Sequence, residues 1–115
     1  MTIWHNPRCS KSRQCLAWLE ERNDEIEIVK YLETPPSVKV LTEVLSMLGM
    51  KPRELLRVKE NEYKELGLSN ASLSDDAIIE AMVAAPKLIE RPIVIYNGKA
   101  ALGRPLEKVM ELVQE

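Results

Sequence analysis

Nine consecutive residues near the N-terminus, His5-Asn6-Pro7-Arg8-Cys9-Ser10-Lys11-Ser12-Arg13, concentrate the chemistry of this chain. A cysteine becomes a strong nucleophile only as its thiolate, and a free thiol holds its proton until about pH 8.5. Here Cys9 falls where a short β-type run (Thr2-Ile3-Trp4) turns into an amphipathic helix with Leu16, Trp18 and Leu19 on its apolar face. The first turn of a helix carries unpaired N–H groups and a partial positive charge, which favour a thiolate and also hold an oxyanion beside it. His5, Arg8, Lys11 and Arg13 add charge or potential charge around the same sulfur. The plainer role for Cys9 is a small residue packing a helix start, and the surrounding charges speak against it. The local pattern points to a reactive cysteine in an anion site.

Three arginines outside this loop stand in notable settings: Arg57 near the end of a helical run, Arg91 before Pro92 and Arg104 before Pro105. Guanidinium forks bind tetrahedral oxyanions bidentately and keep their charge at any working pH. Sixteen residues are Lys or Arg, and most such residues are simply solvated, so no one of the three stands out alone. Cys15 lies with the apolar residues of the helix. Six residues turn a helix by about 600°, which places its sulfur on a different side from that of Cys9 and marks it as structural. His5, the sole histidine, either helps to set the charge of Cys9 or serves as a turn residue. Two familiar cysteine motifs do not fit. A thioredoxin-type site needs Cys-x-x-Cys where this chain has Cys9-Ser10-Lys11-Ser12, and a cysteine phosphatase loop needs arginine where this chain has Cys15.

The elements that must position these groups can be read from periodicity. Glu25 to Tyr31 alternates with period two, as a half-buried strand does. Leu41, Val44, Leu45 and Leu48 recur at helical spacing, with Gly49 at the C-cap position. Pro52 can start a short helix, a polar helix covers residues 60 to 66, and Ser74 caps another that buries Ile78, Ile79, Met82 and Val83 before Pro86. Pro92–Tyr96 and Lys99–Leu102 then flank Asn97-Gly98, the pair suited to a type I′ hairpin. Pro105 opens a last helix through Leu106, Val109, Met110 and Val113. The order βαβ, helical block, ββα predicts a parallel strand pair extended by an antiparallel hairpin. It is an α/β order compatible with a thioredoxin-like sandwich. One domain over residues 1–115 is expected, with the helical insertion at about 37–90.

With 115 residues, 45% hydrophobic and 30% charged, the chain has the composition of an ordinary globule. A net charge of −2 argues against a general nucleic-acid binder, which needs a basic face. The apolar runs are too short for a bilayer, and no signal-peptide pattern opens the chain, so a reducing cytoplasm is expected, with both thiols free. One histidine and two cysteines make no metal-ligand spacing.

Taken together, His5-Asn6-Pro7-x-Cys9-x-x-Ser12-Arg13, Tyr31-Leu32-Glu33-x-Pro35-Pro36, Leu55-Leu56-Arg57, Tyr63-x-x-Leu66-Gly67-Leu68, Arg91-Pro92-Ile93-Val94 and Arg104-Pro105 resemble the glutaredoxin-coupled arsenate reductase (ArsC/Spx) family. The match runs in order along essentially the whole chain, within the Pro-Arg-Cys-Ser-Lys-Ser-Arg subgroup. The resemblance implies a thioredoxin-like fold with a helical insertion and reduction of arsenate to arsenite. It implies Cys9 as nucleophile, His5 as the residue that helps to lower its pKa, and Ser12 as a hydroxyl beside the thiolate. It further implies Arg57, Arg91 and Arg104 as the oxyanion-binding arginines and Pro92 as a cis-proline facing the cysteine. Glutathione would be co-substrate and glutaredoxin partner, with phosphate and sulfate as competing oxyanions and no bound cofactor or metal. Two rivals follow from the same residues. One is a monothiol oxidoreductase acting on glutathione mixed disulfides. The other is a Spx-like regulator of RNA polymerase, which the missing Cys-x-x-Cys disfavours.

Overall fold

A computed structural model describes residues 1–22 and 25–114. In chain order the elements are β1 (Thr2–Trp4), α1 (Ser10–Glu21), β2 (Glu27–Val29), α2 (Val38–Leu48), α3 (Pro52–Leu55), α4 (Asn61–Glu65) and α5 (Asp75–Ala84). After them come a 3₁₀ turn (Pro86–Leu88), β3 (Ile93–Tyr96), β4 (Lys99–Leu102) and α6 (Glu107–Val113). Two compact units result, Met1–Thr34 with Arg91–Glu115, and Pro35–Glu90.

The first unit is built on a four-stranded sheet in the order β2-β1-β3-β4. β1 pairs parallel with β2 (Ile3 opposite Ile28) and antiparallel with β3 (Ile3 opposite Val94), and β4 completes the hairpin with Ala101 opposite Val94. The mixed sheet follows from the chain order. A helix between β1 and β2 permits a parallel pair, whereas two residues between β3 and β4 force an antiparallel one. Asn97 (φ 51°) and Gly98 (φ 75°) both adopt the left-handed geometry of a type I′ turn, for which asparagine and glycine are suited. Ile3, Cys15, Leu19, Val94, Val109 and Val113 form the core, uniting the sheet, α1 and α6. The α/β thioredoxin-like reading of the sequence matches this architecture.

Two boundaries differ from the periodicity. The strand expected over Glu25–Tyr31 pairs only at Glu27–Val29, and Ile28 is 44% exposed. β2 is an edge strand, so alternation persists in the sequence beyond the ladder that uses it. The last helix starts at Glu107 rather than at Pro105, and the Arg104–Pro105 peptide is cis.

The second unit is helical. Ser37 Oγ accepts from the Val40 N–H at the start of α2, Gly49 (φ 67°) ends that helix, and Ser74 Oγ accepts from the Ala77 N–H at the start of α5. Leu41, Val44 and Leu45 of α2 and Ile78, Ile79 and Met82 of α5 are buried. Beyond α3 the chain is extended: Leu56 bridges to Ile89, and the Arg57 N–H donates to the Leu88 carbonyl at 2.7 Å.

Candidate active site

The loop from β1 to α1 is braced by its own polar groups. The His5 N–H donates to the Val29 carbonyl at 2.8 Å, and the Cys9 N–H donates to the Asn6 carbonyl at 3.0 Å. The Arg8 N–H donates to Asn6 Oδ1 at 3.0 Å, and the Arg13 guanidinium donates to the Pro7 carbonyl at 2.9 Å. These bonds close a tight turn that delivers Cys9 as the N-cap of α1, in extended conformation (φ −94°, ψ 122°), so its sulfur faces the open end of the helix.

Cys9 is 9% exposed. Burial raises its pKa, but the Ser12 N–H, the positive charge of Arg91, the Lys11 N–H and hydrogen bonding from Arg91 outweigh that effect. The thiol therefore sits below its ordinary value of 9.0. The backbone N–H groups act without a full capping hydrogen bond to the sulfur. Cys15, wholly buried, is pushed up to about 11 by burial alone. Both cysteines are free.

His5 and Ser12 form the second layer under the sulfur. His5 Nδ1 and Ser12 Oγ share a buried hydrogen bond of 2.6 Å, and Ser12 Oγ also accepts from the Asn6 N–H at 3.0 Å. Burial, then the charges of Lys30 and Arg13, lower the His5 pKa below 6.5 despite an opposing effect of Glu20. At neutral pH His5 is thus an uncharged imidazole. Its link to Cys9 runs through Ser12, whose hydroxyl it fixes and whose N–H favours the thiolate.

The Arg91–Pro92 peptide is cis, and it leads into β3 beside the cysteine loop. Gly103, which the sequence reading passed over, makes this arrangement possible. A Cβ on Gly103 would lie 2.7 Å from Pro92 Cγ, too close to stand without a shift, and 3.2 Å from Cys15 Sγ, a tight contact. Its N–H donates to the Pro92 carbonyl at 2.9 Å. The signal in the sequence was a glycine directly ahead of Arg104-Pro105, with no turn there to require one. Arg104 lines a cleft of about 440 Å³ with Lys11, Gln14, Gly103, Pro105, Leu106 and Glu107. A smaller cleft of about 280 Å³ is lined by His5, Asn6, Pro7, Arg8, Lys30, Leu32 and Glu33.

The structure therefore brings Cys9, His5, Ser12 and Arg91 together, with Pro92 adjoining and Arg104 on the cleft that shares Lys11 with the cysteine loop. Arg57 lies in the helical unit, just past α3. Its guanidinium meets Glu60 at 2.9 Å and Glu90 at 3.7 Å and donates to the Lys87 carbonyl at 3.3 Å. Among the described residues no cluster of histidine, cysteine and carboxylates could hold a metal ion, and no helix is long and apolar enough to cross a membrane.

The sheet and α1 together place a cysteine of lowered pKa at a helix start with an arginine beside it, on a thioredoxin-like α/β fold. The chain belongs to the ArsC family, whose model matches residues 4–112. It is 57% identical over 112 residues to the Uncharacterized protein YfgD of Escherichia coli K12, covering 96% of this chain and 94% of that one. It is 54% identical over 108 residues to the Arsenate reductase of Neisseria meningitidis serogroup B, covering 93% and 92%. The solved structure of an Arsenate reductase from Vibrio cholerae superposes with a TM-score of 0.94 at 51% identity, covering 98% of each chain.

Proposed function

We propose that this protein reduces arsenate to arsenite at Cys9, with electrons from glutathione and glutaredoxin. The observation that carries the reading is a cysteine at a helix start whose pKa is lowered by backbone N–H groups and Arg91, in a chain whose only other thiol is sealed in the core. The Cys9 thiolate attacks arsenic, an oxygen leaves as water, and an S–As bond forms. The thiolate of glutathione then attacks the Cys9 sulfur. An S–S bond forms, the S–As bond breaks, and its electron pair stays on arsenic, which leaves as arsenite. Glutaredoxin resolves the mixed disulfide by thiol–disulfide exchange, helped by the low pKa of the departing Cys9.

By family resemblance Arg91, Arg104 and Arg57 neutralise the oxyanion, and fixed guanidinium donors are the groups best suited to do so. Ser12, held by His5, keeps the thiolate's surroundings polar. A thiol used this way requires a reducing compartment, and the cytoplasm is the location this reading proposes.

The test is arsenate-dependent NADPH oxidation with glutathione, glutaredoxin and glutathione reductase present. Turnover is expected, with phosphate inhibiting competitively because it shares the tetrahedral charge but does not accept reduction. Turnover of a glutathione mixed disulfide with none of arsenate would overturn this reading in favour of a monothiol oxidoreductase.

A further inference from the structure

We infer that the cleft between α1 and the start of α6 is the subsite for the zwitterionic amino-acid end of the thiol co-substrate, the γ-glutamyl head in the case of glutathione. This rests on the reading of a glutathione-dependent Cys9, and it assigns Lys11, Gln14 and Glu107, which the oxyanion chemistry leaves unused. At about 440 Å³ the cleft falls within the ~300–1,000 Å³ typical of small-ligand sites.

Its polar lining is mixed in a particular way: the cations Lys11 and Arg104, the carboxylate Glu107, and the amide of Gln14, which both donates and accepts. An oxyanion alone has no use for Glu107. A head that bears a carboxylate and an ammonium group on one carbon uses all of these groups. Lys11 and Gln14 take the carboxylate, Glu107 takes the ammonium, and Arg104 stands on the wall nearest the Gly103–Pro92 contact.

The cleft also begins beside the reacting atom. The Lys11 N–H is one of the groups that lower the Cys9 pKa, while the Lys11 side chain lines the cleft. Gln14 is three residues further along α1, on the same face. A thiol peptide seated by its head along this face presents its sulfur toward the helix start. Lys11 thereby acquires a use distinct from activating the thiol.

The test needs no arsenate. The Cys9 thiolate attacks one sulfur of oxidised glutathione, forming the mixed disulfide and releasing the other half as a thiolate. Its second-order rate is compared with that for bis(2-hydroxyethyl) disulfide, which has no charged head, while iodoacetamide reports the thiolate itself. Gln14→Ala and Glu107→Gln, both at exposed positions, should each slow oxidised glutathione roughly two- to fivefold, the range expected for one exposed polar or ionic contact. The uncharged disulfide and iodoacetamide should be unaffected. Added salt should shrink the wild-type preference for oxidised glutathione. No preference in the wild type, or variants that slow both disulfides alike, would overturn the assignment. Failure of arsenate turnover would leave these rates standing, so the two ideas fail separately.

Discussion

Cys9 and Cys15 share one helix and one side-chain chemistry, yet their surroundings drive them in opposite directions. At the first end of α1 the sulfur meets backbone N–H groups and Arg91, and the proton is held less tightly than usual. Half a dozen residues on, the second sulfur meets Ile3, Leu19, Val94, Val109 and Val113, with no charge to offset burial, and its pKa rises to about 11. Burial penalises the thiolate at both places. What differs is whether anything polar reaches the sulfur. The lowered pKa of Cys9 is therefore a property of the helix terminus and of an arginine from a distant part of the sequence, and cysteine supplies only the atom.

The largest effect should come from exchanging the two roles. Cys9→Ser should abolish arsenate turnover and reduce alkylation at neutral pH by orders of magnitude, because the remaining thiol is neutral and inaccessible. Cys15→Ser should retain the alkylation rate of Cys9 but lose stability, since a hydroxyl without a partner in an apolar core costs about 1–3 kcal/mol. Mass spectrometry after iodoacetamide treatment, beside urea denaturation, separates the outcomes. Modification chiefly at Cys15 would break the comparison.

A smaller effect is expected at Gly103, which touches both halves of the contrast through Pro92 and Cys15 Sγ. Gly103→Ala should destabilise the fold by about 1–3 kcal/mol, as overpacking a filled site does. It should also displace Arg91 and so raise the Cys9 pKa, read from alkylation rate against pH. An unchanged profile would mean that Arg91 is positioned independently of Gly103.

A third set of effects lies in the pH dependence of stability. For Cys9, with a lowered folded pKa, the unfolded chain keeps its proton longer, so stability grows as pH rises toward 9.0. For Cys15 the sign reverses: between pH 9 and about 11 the unfolded chain loses its proton first, and stability falls. His5, lowered below 6.5, gives a third limb, because the unfolded chain gains a proton first as pH falls below that value, and stability declines toward acid. Urea midpoints across pH should show the alkaline fall vanish in Cys15→Ala and the rise toward pH 9 vanish in Cys9→Ser.

The elements were legible where one local signal sufficed. The N-cap Ser74, the αL Gly49 and the Asn97-Gly98 turn all act within a few residues, and the structure uses each of them. Signals that depended on a neighbour in space misled at the edges. The alternation of residues 25–31 continues past the three residues that pair, because an edge strand's length is set by its partner β1. Likewise the basic residues nearest Cys9 in sequence, Arg8 and Arg13, contribute less to its thiolate than Arg91. Arg13 spends its guanidinium on the Pro7 carbonyl.

By itself the sequence determined that Cys9 opens a helix, that Cys15 shares its apolar face, and that a parallel pair is joined to a hairpin, because periodicity, capping and turn chemistry are short-range. Only the tertiary structure decided that Arg91 meets the sulfur, that burial lowers the His5 pKa beside Ser12, and that position 103 is crowded by Pro92 and Cys15. Those outcomes depend on which atoms the sheet register brings together and on how far water is excluded from them. Most of these distances join residues far apart in the chain, Arg91 with Cys9 and Gly103 with Cys15, and no local pattern encodes them.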